Sequence, residues 1–302
     1  MIRPYFTVVV PTHRRPALLR EALASVANQS FGGSQVIVVD DADDAETRSV
    51  VAEFDNVEYA LNDRGSGGSG ARNKGAQLAS GTWLAFLDDD DVWMPNKLEA
   101  VKSVIEANDG DLGLVYSGSE QFDSATGATL SRSQPRVRGR VLDEMLYRNH
   151  IGGMSVIVVR RDLFEEIGGF DEAFPSMQDM ELYVRMAERS TFDYVDSALV
   201  RFRVGSHGRI TFNASRKLAG AKLFEQKFGG LLAGRPSHRH RASARVFLTA
   251  VAAGAYGEAL RKIPSMTVGM FVDPANLRYV VHGLARQARA ALIGVGANTV
   301  NT

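Results

Sequence analysis

Short apolar segments alternate with segments of helical periodicity through the first 118 residues, and this pattern constrains the fold more than any other feature. Phe6–Val10 is β-branched and ends at Pro11, and Pro16–Asn28 then places Leu19, Leu23 and Val26 at helical spacing. Val36–Val39 ends at Asp40 and Asp41, Thr47–Phe54 reads as a helix, and Val57–Leu61 reads as a short strand. Trp83–Leu87, a helix over Pro95–Ala107 and a strand over Leu112–Tyr116 continue the series. Strands separated by helices predict a mostly parallel sheet covered on both faces. Ligands of such sheets sit beyond the carboxyl ends of the strands. Pro11–Thr12, Asp40–Asp41, the glycine-rich "DRGSGGSG" and Asp88–Asp91 all fall at such ends.

After Ser117 the pattern changes. "EQFDSATGATLS" reads as a hairpin around Thr126–Gly127, "VLDEMLYRN" as a short helix and Ser155–Val159 as a strand. Arg161–Ile167 is a helix ended by Gly168–Gly169, Gln178–Glu188 is helical, and Ala198–Phe202 is a strand. From about Asn213 only helical patterns remain, broken at "GGLLAGRPS", "KIPS" and "DPAN". The expected organisation is a domain over 1–215, with halves of about 1–118 and 119–215, followed by a helical region over 216–302. Charge divides there too. Residues 216–302 carry 13 Lys/Arg and 3 Asp/Glu, a balance of +10, which leaves −10 on the rest of a formally neutral chain.

With no cysteine in 302 residues, disulfides, thiolate metal sites and cysteine nucleophiles are excluded. The N-terminal "MIRPYFTVVVPTHRRP" has no signal-peptide pattern, and no apolar run approaches the roughly 20 residues that span a bilayer. A cytoplasmic protein, peripheral at the inner face of a membrane at most, is the expectation.

In "WLAFLDDDDVW" an apolar strand runs directly into four acids. One or two acids would serve a helix N-terminus. Four favour a hard divalent cation held through oxygen, with positions left for phosphate oxygens. Asp40–Asp41 reads equally as a helix cap or as a binder of a base imide or ribose. Arg72, just after the glycine loop, reads equally as a solvated residue or as a phosphate or base contact. Gly65, Gly67 and Gly70 satisfy G-x-G-x-x-G, the dinucleotide fingerprint, but the loop follows the third strand rather than opening the sheet. Asp179 and Glu181, early in a helix, are N-terminal acids or a general base. His207 is the histidine best placed for a metal or phosphate site, or else an ordinary loop histidine. "RPSHRHR", with His238 and His240, reads as a solvated basic face.

Taken together, "VVVPTHRRPALLREALASVANQS", "VIVVDDADD", "GARNKGAQLASGTWLAFLDDDDVWMPNKLE", "VVRRDLFEEIGGFDEAF" and "QDMELYVRM" resemble an inverting family-2 nucleotide-sugar glycosyltransferase of the GT-A fold over about residues 5–210. The resemblance implies a nucleotide-diphosphate sugar donor, a UDP-sugar before other bases, and Mg²⁺ or Mn²⁺. By position it assigns Pro11, Thr12 and Asp41 to the nucleoside and Arg72 to the base or phosphates. Asp88–Asp90 covers the D-x-D motif, with Asp90 the metal ligand and Asp88 and Asp89 near the ribose and sugar. Asp88 and His207 are further metal candidates. Asp179 falls at the catalytic base, and Glu181, Asp91 and Trp93 at acceptor or supporting positions. Two departures stand out: "DDADDA" replaces the family's DDGSxD, and Gln178 replaces the Glu before the base. A saccharide or lipid-linked acceptor is expected, and no nucleic acid. The competing classes are a NAD-dependent oxidoreductase and a non-catalytic sugar-nucleotide binding protein.

Leu277, Val281, Leu284, Ala288 and Leu292 fall on one helical face, and Arg278, His282, Arg286 and Arg289 on another. Apolar and basic stripes on one helix are the pattern of an interfacial helix, so peripheral contact with an anionic membrane is expected. The same apolar stripe would serve equally for packing against the protein itself.

Overall fold

The computed structural model describes residues 3–63, 65, 67–108, 110–204 and 213–292. Elements follow in the order β1 (Phe6–Thr12), α1 (Pro16–Ala27), β2 (Gln35–Asp40), α2 (Ala45–Val51), β3 (Val57–Leu61), α3 (Gly67–Leu78), β4 (Trp83–Phe86), β5 (Asp91–Trp93) and α4 (Lys97–Glu106). Then come β6 (Leu112–Asp123), β7 (Thr129–Ser133), α5 (Leu142–Tyr147), β8 (Ile157–Arg160), α6 (Arg161–Glu166), α7 (Gln178–Arg189) and β9 (Thr191–Val204). The chain ends in α8 (Ala214–Lys227), α9 (Gly229–Ala233), α10 (Pro236–Ala252), α11 (Tyr256–Val272) and α12 (Pro274–Leu292).

Two compact units form. One comprises Met1–Glu172 with Leu182–His207, and the other Ala173–Glu181 with Gly208–Thr302. The second thus takes in a segment of the middle of the chain that the sequence division at residue 215 does not anticipate.

The first unit holds one sheet in the order β3-β2-β1-β4-β8-β6-β9-β5, with β7 on β6. The four strands β3, β2, β1 and β4 are parallel. The chain builds outward from β1 through β2 to β3, then α3 carries it back to lay β4 on the other side of β1. That reversal is a topological switch point, and it opens a crevice at the carboxyl ends of β1 and β4. Pairing of β4 stops at Val9↔Phe86, so Pro11, which has no N–H to donate, needs only the β2 partner Val39. α3 lies unusually close to β1, since a Cβ on Gly75 would stand 2.3 Å from Val9 Cγ1.

Several expected boundaries shift, for local reasons. α2 starts at Ala45 because the Asp44 side chain accepts from Thr47 N and caps it. α3 starts inside the glycine stretch, at Gly67, whose φ of +68° suits glycine. The expected strand over Ser155–Val159 begins as a 3₁₀ turn, Met154–Val156, before β8. β6 and β9 outrun their apolar cores because they pair with each other along Leu112–Asp123, which overrides the weak strand preference of Gly, Ser and Asp.

In the second unit α8, α11 and α12 pack on α10. Leu218, Ala221, Val246, Ala250 and Ala259 form one apolar cluster, and Ala244, Met266 and Val280 another. Two expectations are corrected here. "KIPS" does not break the helix: α11 runs through Pro264, and an interior proline removes one hydrogen bond without ending the packed helix. "HRHR" is only partly a solvated face, with Arg239 exposed and His238 half-buried. His240 and Arg241 are buried because α10 is the helix the others surround, and Arg241 stacks 4.1 Å over the Tyr279 ring.

Lys97 is the one buried lysine among the described residues of the first unit's core. It opens α4, where a cation opposes the helix dipole. Its Nζ donates to Val156 O at 3.1 Å and to Ser117 Oγ at 3.4 Å, and lies 5.2 Å from the Trp93 ring. Burial lowers its pKa to about 7. A lysine whose folded pKa is depressed from 10.5 carries no charging penalty above that value, and the full penalty below about 7. Stability of the native chain should therefore fall, relative to Lys97→Met, as pH drops from about 10.5 to 7, by at most about 5 kcal/mol from the size of the shift. Urea midpoints of both proteins across that range would show it; a constant gap would mean that Lys97 is neutral or solvated throughout.

Candidate active site

The crevice beside β1 and β4 collects most of the polar residues singled out in the sequence. β1 ends at Thr12, paired with Asp40, which is paired in turn with Leu61. Asp41 N donates to Thr12 O at 2.9 Å and Asn62 N to Asp40 O at 2.8 Å, so three strand ends are tied at one level. Beyond β1 the chain turns through Arg14, at φ +51°, a left-handed conformation that costs about 1–3 kcal/mol outside glycine.

The aspartate run alternates. Asp88 and Asp90 are half-buried, whereas Asp89 and Asp91 are buried. A tight turn, with Asp91 N donating to Asp88 O at 3.1 Å, brackets them. Two outward-facing acids and two inward-facing ones answer different needs. Asp89 accepts from Thr12 Oγ1 at 2.8 Å and from Arg15 at 3.3 Å. Arg15 also reaches Asp90 at 3.1 Å, and Arg72 pairs with Asp88. Burial pushes Asp89 up to about 6, against the pull of Thr12 and Arg15. Burial also raises Asp91, helped by repulsion from Asp88 and Asp90 and opposed by a hydrogen bond from Ser155.

Ser155 holds the run from below. Its Oγ accepts from Asp88 N at 3.0 Å and donates to Asp91 at 2.6 Å, while its carbonyl accepts from Trp93 Nε1 at 2.9 Å. Trp93 and Asp91 are buried, and their hydrogen bonds with Ser155 brace the turn.

The second aspartate pair also splits. Asp40 is buried and structural: it accepts from Ala42 N, Asp44 N and Tyr59 Oη. Asp41 accepts from Asn62 Nδ2 at 2.6 Å and keeps an exposed His13 at 4.0 Å. On α3, Ser69 and Arg72 share a face at i, i+3. Ser69 Oγ and Arg72 Nε are buried without a hydrogen-bond partner among the described residues. Two buried donors without an acceptor are costly unless something else supplies one.

The structure thus brings together Pro11, Thr12, Asp41, Arg72, Asp88, Asp89 and Asp90, with Asp91 and Trp93 beneath. Asp179 and Glu181 belong to the second unit. They sit in the first turn of α7, which follows Met177 at φ +67°. Asp179 Oδ1 accepts from its neighbour's amide, Met180 N, at 2.8 Å. Glu181 is fully buried and paired with Lys227 at 2.7 Å. His207 lies outside the described residues. Among the described residues no three His, Asp or Glu side chains gather as a ready metal cage.

Sequence reasoning missed Arg15, Ser155, Asn62 and Arg203. Arg15 carried a signal, an arginine pair between a strand end and the Pro16 that starts α1. Arg203, whose guanidinium pairs with Glu21 and reaches Asp90 O at 3.4 Å, came from a strand far away in sequence and carried none.

Residues 7–168, more than half of the chain, match the family described as Glycosyl transferase family 2. An uncharacterized glycosyltransferase of Haemophilus influenzae is 31% identical over 188 residues, 62% of this chain and 63% of that protein. One from Methanocaldococcus jannaschii is 24% identical over 212 residues, 68% and 72% of the two chains. One from Rickettsia felis is 28% identical over 213 residues, 67% of this chain but 35% of its own length, so the match spans only part of some relatives. Among solved structures, Staphylococcus aureus TarS 1-349 in complex with UDP-GlcNAc superposes with a TM-score of 0.59 at 17% identity, covering 81% of each chain. The mannosyltransferase PcManGT from Pyrobaculum calidifontis, in complex with GDP-Man and Mn²⁺, gives 0.57 at 19% identity over 96% of this chain and 88% of that one. These likenesses carry the fold, which is the α/β GT-A arrangement. With the strand-end acids, the switch-point crevice and the family match in agreement, the chain belongs to glycosyl transferase family 2.

Proposed function

We propose that the protein transfers a sugar from a nucleoside-diphosphate sugar to an acceptor hydroxyl, with inversion, in glycoconjugate or polysaccharide synthesis. The observation that carries this reading is the set of cations and donors at the switch point. Arg15 and Arg72 hold the outward acids, and Arg72 Nε and Ser69 Oγ are buried donors that a pyrophosphate would satisfy. Asp41, beside Thr12 at the strand ends, takes the nucleoside. The complexes of two fold neighbours with UDP-GlcNAc and GDP-Man support a nucleotide-sugar donor. We place the UDP-sugar first, with a saccharide or lipid-linked acceptor and a cytoplasmic location.

Asp90 and Asp88 fit a divalent cation. Both present hard oxygen and are partly solvated, and Mg²⁺ or Mn²⁺ is commonly held by one or two carboxylates with phosphate and water completing the shell. Bound there, the cation would supply electrostatic stabilisation of the leaving diphosphate. The chain's own part is to pre-position charge. Arg15 and Arg72 trade their carboxylate partners for phosphate oxygens as the donor enters, while Thr12 and Ser155 keep the aspartate turn in place. Asp179, assigned from the family resemblance, takes the proton of the attacking hydroxyl, and a single in-line displacement inverts the anomeric centre. The G-x-G-x-x-G reading as an oxidoreductase is not favoured, because the glycines open the third helix rather than the first and residues 7–168 match glycosyl transferase family 2.

Two substitutions test the assignment. Asp90→Ala should abolish metal-dependent stabilisation by nucleoside diphosphates in a thermal-shift panel, since ligand that binds only the folded state raises its melting temperature. A wild-type response in that variant, for every nucleotide tried, would remove Asp90 from the site.

Asp179→Asn should leave donor affinity nearly unchanged and lower turnover by roughly 10²–10⁴, the range for loss of a general base. Near-normal transfer by this variant would shift the role to another acid. Donor binding without turnover in either protein would favour a non-catalytic binding module.

A further inference from the structure

Helix α12 has three faces, and the apolar one points outward. Asn276, Val280 and Gly283 are buried, and Tyr279 and Gln287 half-buried. A Cβ on Gly283 would meet Leu248 of α10 at 2.5 Å, and Gln287 donates to Leu248 O, so this side is the one packed within the unit. Leu277, Val281 and Leu284 are 44%, 54% and 38% exposed, and Ala288 is exposed with them. The side chain of Leu292 lies outside the described set. At 100° per residue these four occupy one stripe, about a quarter-turn or more from the packed side. Arg278 and Arg289 border the stripe on its other flank, His282 and then Arg286 continue round to the far side, and all four are exposed. Among the described residues none of these four forms an ion pair. α11 repeats the feature with Tyr256 and Leu260, 65% and 63% exposed, and with Ile263.

A helix normally turns its apolar stripe to the core. Here Gly283, Asn276 and Gln287 share the core contact with only Val280 and Tyr279, and the leucine–valine stripe is left in solvent beside arginines. Contiguous apolar exposure of this kind marks an interaction surface. We infer that the outward face of α12 docks on an anionic lipid bilayer, lying in the headgroup region without crossing it. No helix among the described residues is long and apolar enough to cross. Charge decides between occupants. Residues 216–302 carry +10, and among the described residues the arginines beside the stripe form no ion pair. A second copy of the chain, meeting α12 on α12 antiparallel about a two-fold axis across the helices, would bring arginine row against arginine row. A sheet of lipid phosphates satisfies the arginines while the acyl boundary takes the leucines.

The test is flotation of the full-length protein with vesicles of phosphatidylglycerol and phosphatidylcholine, with no nucleotide present, so that its outcome is independent of the donor reading. Binding should rise with phosphatidylglycerol content and fall as salt is raised, because surface attraction is screened beyond about 8–10 Å at physiological ionic strength. Val281→Asp with Leu284→Asp should cut binding at least tenfold, and Arg278→Gln, Arg286→Gln and Arg289→Gln together should remove its salt dependence. All five side chains are exposed, so unchanged circular dichroism and melting temperature are expected for both variants. Absence of wild-type binding to anionic vesicles at low salt would overturn the inference. So would binding that survives the aspartates in a folded variant, or a dimer in light scattering that those aspartates dissociate.

Discussion

Four adjacent carboxylates repel one another, and the first unit is organised around making that repulsion bearable. Alternation along an extended turn sends Asp89 and Asp91 inward and Asp88 and Asp90 outward. The inward pair is met by Thr12 and by Ser155, the outward pair by Arg15 and Arg72. Each partner comes from a different element: the end of β1, the start of α1, the first turns of α3 and the 3₁₀ turn before β8. Without the parallel order of β2, β1 and β4, and the reversal of direction at β1, these partners would not meet. The constraint also explains the tight lower layer. Ser155, Trp93 and Lys97 hold one turn of backbone between them, because a flexible turn would let the acids spread into solvent.

The same arrangement is what a diphosphate donor requires. Preformed cations beside carboxylates that can accept a metal give a site whose charges are already in place when the leaving group develops its own. Arg15 and Arg72 are held by acids, so the positive charge is neither solvated away nor left to repel.

Much of this was legible in the sequence because it is local. Apolar strands that stop at polar clusters gave β1, β2 and β4 and their ends, and the carboxyl-end rule for parallel sheets then gathered Thr12, Asp41 and Asp88–Asp90. What was not legible depends on contacts across long separations. Nothing in "GGMSVIVV" marks Ser155 as the support of a turn more than sixty residues earlier. Asp40 and Asp41 look equivalent in sequence, and only the fold of the following turn makes one a structural acid and leaves the other near the crevice. In "HRHR", polar by composition, His240 and Arg241 lie inside because α10 is central, while Arg239 stays exposed. Leu277, Val281 and Leu284 lie outside, in keeping with the paired apolar and basic stripes, and Gly283 permits the close approach on another face.

On the proposed function, the outward aspartates and the two arginines form one site for a metal–nucleoside diphosphate, neither part being complete alone. Electron paramagnetic resonance of Mn²⁺ titrated into the protein reads this directly, because the free ion's signal is lost on binding. Weak loss is expected with Mn²⁺ alone, and with the correct nucleoside diphosphate a strong, stoichiometric loss beyond that which the nucleotide causes without protein. No protein-dependent loss with any nucleoside diphosphate, or an equal loss without nucleotide, would contradict it.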